Sequence, residues 1–372
     1  MTVLILLPLA LVAFTWLGYP IVVAAAARLR GDRTSAEDSA GPNPSVTVIL
    51  ATIGDDTEIA ERVRNIAATR YPHSSMDIVV SLDARRTPDS IAGLEGNGVR
   101  VSIVRGDQPG GKAVALNAGV RTARGEILVF ADLAQRFDEA TIPLLVDALR
   151  SDDRMGAVSG ALHISKAAGR FSAASLYWRM ERRLRRDEAR VHSAVGVTGA
   201  VYAMRRALWA PLPNGLILDD LYAPMQLVLR GYRIGFEERA LAHDARHFAP
   251  RDEYRRKART LTGVLQLCAW LPAVLGPIRN PIWVQFVTHK LLRLATPWLL
   301  LLAAVGVAVH LAGARPFGLS PWIWGVAIAT AAVPVFSSRR MREGVVGTLY
   351  MQAAMVKATV NGLRGHWDVW QN

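Results

Sequence analysis

The run Gly110–Asp132, GGKAVALNAGVRTARGEILVFAD, decides how this chain is read. Two glycines open a segment in which Val114, Leu116 and Val120 recur at helical spacing. A charged break then leads into a short apolar run, so the pattern predicts a helix over 112–122 and a buried strand over Ile127–Phe130. Asp132 falls just past the strand's carboxyl end. In open α/β sheets that rim is where ligands bind, and a carboxylate there can meet a nucleotide, a sugar or a metal held between phosphates.

Working outward, strand-like and helix-like segments alternate. Strands are expected at Val46–Ala51, Ile78–Ser81 and Val99–Val104, with a helix near Glu58–Thr69. Such alternation predicts an α/β domain built on a mainly parallel sheet with helices on both faces. From about Phe171 the character changes to a basic helix, Leu176–Arg190. It carries Tyr177, Met180 and Leu184 on one side and Arg179, Arg182, Arg183, Arg185 and Arg186 elsewhere, which suits either a solvated helix or one docked on a membrane surface.

The chain has 372 residues, 51% of them hydrophobic, with 44 Lys and Arg against 31 Asp and Glu. That apolar share is high for a purely soluble protein. Thr2–Ala27 carries no charge and exceeds the roughly 20 residues a transmembrane helix needs. A signal peptide is the rival reading, but no basic residue precedes the apolar run, whereas Arg28, Arg30 and Arg33 follow it. Leu294–Ala314 and Pro316–Ser338 are two further uncharged spans, joined by a turn at Arg315. Gly344–Leu363, interrupted by Lys357, fits either a fourth span or an interfacial helix. Basic residues cluster after the first span, before the second (Lys290, Arg293) and after the third (Arg339, Arg340, Arg342). The positive-inside rule therefore places residues 28–293 in the cytoplasm and the N-terminus outside. The net charge of +13 hugs these flanks and points to anionic lipid rather than nucleic acid. Cys268 is the sole cysteine, which excludes an internal disulfide and reads as a small buried hydrophobe.

Acidic residues fall at strand ends or turns at Asp55, Asp83, Asp132 and the pair Asp219-Asp220. One Asp after a strand is commonly only a turn residue. Their conjunction with Lys112, beside glycines whose backbone a diphosphate can approach, gives the functional reading. The neighbouring carboxyls of Asp219 and Asp220 suit a general base, because crowding raises one pKa, and they equally suit a helix cap.

With these residues in hand, the chain resembles the membrane-integrated family 2 glycosyltransferases of the cellulose and hyaluronan synthase type. The likeness runs from about Pro44 to Leu267 and more loosely into the C-terminal spans. VTVILATIGDD resembles the family's opening strand and nucleotide turn through Asp55, and VVSLDA its second-strand aspartate through Asp83. GGKAVALNAG matches its Gly-Lys helix through Lys112, Asn117 and Gly119. FADLAQRF resembles its donor and metal aspartate through Asp132. GVTGAVYAMRR, with Gly199, resembles the acceptor-side loop, and LDD the acidic motif whose last aspartate, here Asp220, serves as base. The chain departs from the family at three places: Ala134 stands where a second metal aspartate is usual, Gly54-Asp55 replaces Asn-Glu, and EYRRK keeps only Arg256 of the processive motif.

The resemblance implies a GT-A type nucleotide-sugar-binding fold with transmembrane helices at both ends. It implies an anchor over 1–28, a tether over 29–44, a cytoplasmic glycosyltransferase domain over 45–267 and a C-terminal membrane region over 268–372. The implied donor is a UDP-sugar held by Asp55, Asp83, Lys112, Asp132 and Arg256. Mg²⁺ or Mn²⁺ sits on Asp132, weakened by Ala134. Asp220 is the catalytic base, with Gly199 and Asp219 on the acceptor side and a lipid or glycan acceptor. The implied location is the plasma membrane, a bacterial inner membrane, in multi-pass form. The alternative is a catalytically silent membrane subunit of a polysaccharide synthase complex. A dinucleotide oxidoreductase is disfavoured, because no G-x-G-x-x-G follows the first strand.

Overall fold

The computed structural model describes residues 2–31, 42–86, 97–109, 111–164, 173–246, 250–313 and 339–368. The expected third span, Pro316–Ser338, lies outside the described residues, as do Gly110 and most of the tether. Apart from short 3₁₀ and π turns and the single helical turn Trp283–Phe286, the elements in chain order begin with helix α1 (Thr2–Leu29), strand β1 (Val46–Thr52), helix α2 (Asp56–Ala67) and strands β2 (Met76–Leu82) and β3 (Arg100–Arg105). Next come α3 (Lys112–Thr122), β4 (Ile127–Ala131), β5 (Arg136–Phe137), α4 (Thr141–Arg150), β6 (Met155–Ile164) and α5 (Ala173–Val191). They end with β7 (Val201–Arg205), α6 (Asp219–Leu229), β8 (Arg233–Asp244), α7 (Pro250–Trp270), α8 (Arg293–Gly313) and α9 (Arg339–Leu363).

The chain divides into two compact units. One holds Val23–His247 with Gln266–Phe286, and the other Met1–Val22, Phe248–Leu265 and Val287–His366. The first contains an eight-stranded sheet in the order β3-β2-β1-β4-β7-β6-β8-β5. Strands β3, β2, β1 and β4 run parallel, as the alternation predicts, and β6 pairs parallel with β8. The strand β7, VYAMR, runs antiparallel between β4 and β6, and β5 runs antiparallel to β8. The sheet is thus mixed but mostly parallel.

Every residue of β1 and β4 is buried. This is the mark of strands covered on both faces, and it explains why their sequences read as unbroken apolar runs rather than alternating ones. Val46, Val48 and Leu50 pack with Ile59, Val63 and Ile66 of α2 and Ile142 and Leu145 of α4. On the opposite face, Ser81 Oγ donates to the Ala115 carbonyl of α3. With helices on both faces, the open edge is the carboxyl rim, where Asp83 and Asp132 each follow the last residue of a parallel strand.

The helical runs Thr2–Leu29 and Trp283–His310 are long and apolar enough to cross a membrane. Their apolar residues stay largely uncovered, with Val3 70%, Leu17 66% and Leu301 55% exposed. In a soluble helix such a face would need a partner. Trp16 Nε1 donates to Thr296 Oγ1 at 3.1 Å, and Trp298 Nε1 to Thr359 Oγ1 at 3.2 Å, so polar contacts tie these helices together and to α9.

Candidate active site

Two loops converge on α3. The first follows β4: Asp132 Oδ1 accepts from Lys112 Nζ at 2.8 Å. The second ends in the N-terminal turn of α6, where Asp219 Oδ2 lies 3.3 Å from the same nitrogen. Lys112 therefore bridges the two acidic segments named from sequence. Burial lowers the affinity of its ammonium for a proton, but Asp132, Asp219 and Asp220 outweigh burial and hold its pKa above the ordinary value.

Local structure explains this convergence. Gly111 caps α3 with φ +72°, a left-handed conformation that favours glycine, and supplies no side-chain cap. The first-turn N–H groups of α3 are thereby left for a ligand. Asn117 clamps the backbone of Leu212, donating to its carbonyl at 2.8 Å and accepting from its N–H at 2.9 Å. Gln266 holds the Gly215 carbonyl and the Ile217 N–H at 3.0 and 2.8 Å. These bonds fix the loop that delivers Asp219 and Asp220.

Asp220 lies against the loop before β7. The Val197 N–H donates to its carbonyl at 2.9 Å, and a Cβ on Gly199 would stand 3.1 Å from its Oδ2. A side chain at this position would press on the carboxylate, which would have to give by a few tenths of an ångström. Burial first, and then the Asp219 charge, raise the Asp220 pKa from 3.8 to about 6, against the opposing pull of Lys112 and Arg185. A carboxyl poised there can accept a proton near neutral pH.

Three residues not singled out from sequence join the site. Tyr202 of β7 is buried, stacks on Phe130 at 4.4 Å, and has a hydroxyl with no hydrogen-bond partner among the described residues. Burial, and after it the charges of Asp219, Asp220 and Asp132, push its pKa well up. The antiparallel pairing of β7 with β4 places Tyr202 opposite Phe130, and no local pattern in the sequence announces that pairing. Arg62 donates from Nε to the Asp132 carbonyl at 3.0 Å, fixing the turn after β4. Burial, then Arg136, lower its pKa to about 9. Arg185 of α5 donates to Thr198 Oγ1 at 3.2 Å and so steadies the loop around Gly199. Its place in a run of surface arginines concealed this role.

The remaining sequence-derived residues are Asp83, Asp55 and Arg256. Asp83 is held by Arg85, whose backbone N–H and Nε both donate at 2.9 Å, and by the Gly111 N–H. The Arg85 bond, foremost, keeps its pKa below the usual carboxylate range despite burial. Asp55 caps α2, accepting from the Glu58 N–H at 2.9 Å. Its carboxylate is thus engaged by its own helix. Arg256 is an exposed residue of α7 in the other unit.

Among the described residues no three His, Cys, Asp or Glu side chains cluster as a metal cage. Asp132 is 37% exposed, and Lys112 takes one of its oxygens. Ala134 offers none. This donor set fits a hard cation that draws its other ligands from substrate phosphates and water, and not one caged by protein alone.

An open, mostly parallel α/β sheet with an acid-lysine cluster at its carboxyl rim is an architecture of the GT-A type. Residues 47–210 match the family model for glycosyl transferase family 2. Poly-beta-1,6-N-acetyl-D-glucosamine synthase of Staphylococcus aureus (strain COL) is 22% identical over 202 residues, which cover 53% of this chain and 48% of that protein. The chain thus spans about half the length of the curated relatives it matches. A mannosyltransferase from Pyrobaculum calidifontis, solved with GDP-Man and Mn²⁺, shares the fold with a TM-score of 0.72 and 23% identity. The match covers 97% of this chain and 99% of that one.

Proposed function

We propose that this protein transfers a sugar from a nucleoside diphosphate sugar to a hydroxyl of a lipid or membrane-associated glycan, inverting the anomeric configuration. The observation that carries the proposal is Lys112 between Asp132 and Asp219, with Asp220 poised beside Gly199. The uncapped start of α3 and the Lys112 ammonium meet the diphosphate, whose growing charge they stabilise as the glycosidic bond to phosphate breaks. Asp220 takes the proton of the acceptor hydroxyl, which attacks the anomeric carbon from the opposite face. Asp219 keeps the Asp220 carboxylate basic. Asp83 shapes the nucleoside end of the site through Gly111, while Asp55 acts there by setting the start of α2.

Mg²⁺ or Mn²⁺, held by Asp132, would supply further positive charge to the departing diphosphate. Two helices of membrane-crossing length and apolarity support a membrane-bound enzyme with its catalytic domain on the cytoplasmic side. The silent-subunit reading is weakened by a full base, lysine and donor carboxylate in one cluster. Purified protein incubated with a panel of nucleotide sugars and membrane lipid extract tests the proposal. Transfer is expected from at least one donor, and no transfer together with no binding of any nucleoside diphosphate would overturn it.

A further inference from the structure

Helix α5 carries Arg183, Arg186 and Arg190 at i, i+3 and i+7, neighbours along one stripe of its surface. With the buried Asp187 and with Ala24, Ala27 and Arg28 at the end of α1, they line a cleft of about 180 Å³. Pockets for drug-sized ligands begin at about 300 Å³. The cleft is therefore too small for a nucleotide sugar and sized for a single small charged group. Asp187, its lone carboxylate, is committed to Arg186 at 3.1 Å, and Arg186 reaches Glu238 at 3.5 Å. Arg28 and Arg183 are exposed and have no carboxylate partner among the described residues.

Guanidinium groups from two separate elements converge here at a repulsive cost that an anion between them offsets. Their planar forks match phosphate oxygens. Arg28 is also the first charge after the uncharged run Thr2–Ala27, the depth at which lipid headgroups lie.

We propose that this cleft binds the phosphate of an anionic glycerophospholipid in the leaflet bordering the catalytic domain. The proposal rests on the membrane-bound reading above. It gives the basic helix α5 a specific ligand where the sequence offers only diffuse attraction to a surface.

The test uses the full chain in nanodiscs of phosphatidylcholine with a minor share of phosphatidylglycerol, followed by native mass spectrometry of retained lipid. Wild type should retain phosphatidylglycerol selectively. The double variant Arg28→Gln, Arg183→Gln should lose that retention about tenfold or more, since two charge-assisted bonds are removed. A control with Arg121→Gln and Arg239→Gln, two arginines outside the cleft, should retain lipid as wild type does. Donor binding by both variants reports that they fold. Equal retention by wild type and the cleft variant would overturn the proposal. So would displacement of the lipid by an equal concentration of glycerol phosphate, which would mark a site for free phosphate. Carbonate extraction of the membranes separates the two readings. Release of wild type into solution would remove the membrane reading and this proposal with it, whereas membrane retention without a selective lipid adduct would remove this proposal alone.

Discussion

The Lys112 ammonium donates to Asp132 at 2.8 Å and thereby ties the start of α3 to the turn after β4, while Asp219 approaches from a third segment. One cation neutralises carboxylates that would otherwise repel one another at the rim of the sheet.

Replacing Lys112 with Met should therefore do two things. Unpaired carboxylates in a mostly covered site should lower stability by at most about 3 kcal/mol, because the partial exposure of Asp132 screens part of the loss. Nucleoside diphosphate affinity should also fall by about tenfold or more. Denaturant unfolding and calorimetry measure the two effects separately. Unchanged affinity in a folded Lys112→Met protein would remove Lys112 from the donor site.

Ala134 leaves Asp132 without an acidic neighbour two residues on. Ala134→Asp should strengthen the Mn²⁺ dependence of uridine diphosphate binding, because a second carboxylate joins a hard cation's oxygen ligands. Asp132→Ala should abolish that dependence. Calorimetry with and without Mn²⁺ reads both, and a metal response that survives Asp132→Ala would place the cation elsewhere.

Gly199→Ala sets a methyl group 3.1 Å from Asp220 Oδ2. That contact is tight enough to displace the carboxylate by a few tenths of an ångström. Turnover should fall while donor binding holds, since Gly199 touches the base and not the Lys112 end of the site. A steady-state comparison should find kcat reduced and diphosphate affinity unchanged.

The first half of the fold was legible because β1 and β4 are buried on both faces and so read as near-continuous apolar runs. Lys112, Asp132, Asp219 and Asp220 were legible as residue types at strand ends and turns, but what joins them was not. The bond from Lys112 to Asp132 depends on β4 pairing with β1, and the approach of Gly199 to Asp220 on β7 lying antiparallel beside β4, a pairing no local pattern in VYAMR announces. Asp55 shows the opposite limit. A carboxylate in an acidic turn looks the same in sequence whether it meets a nucleotide or caps its own helix, and here it caps α2.

Asp220 gives the sharpest prediction. Its pKa is raised from 3.8 to about 6, and the general base works only as the carboxylate. Activity should therefore rise through an acid limb centred near pH 6. Asp220→Asn should lower turnover by about 10² to 10⁴ and leave donor binding nearly intact. The same shift carries a stability consequence of fixed sign. A folded-state pKa above the unfolded value favours the protonated form, so the contribution of Asp220 is complete below its ordinary value and is lost as pH rises through about 6. The Tm of Asp220→Asn relative to wild type should accordingly climb as pH rises from 3.8 to a little above 6 and level off beyond. Asp219→Asn removes the neighbouring charge that helps raise this pKa, so its acid limb should move to lower pH with a smaller loss of turnover. An acid limb that stays in place in Asp219→Asn would break the coupling. Full turnover in Asp220→Asn would pass the role of base to another group, with Asp219 first in line.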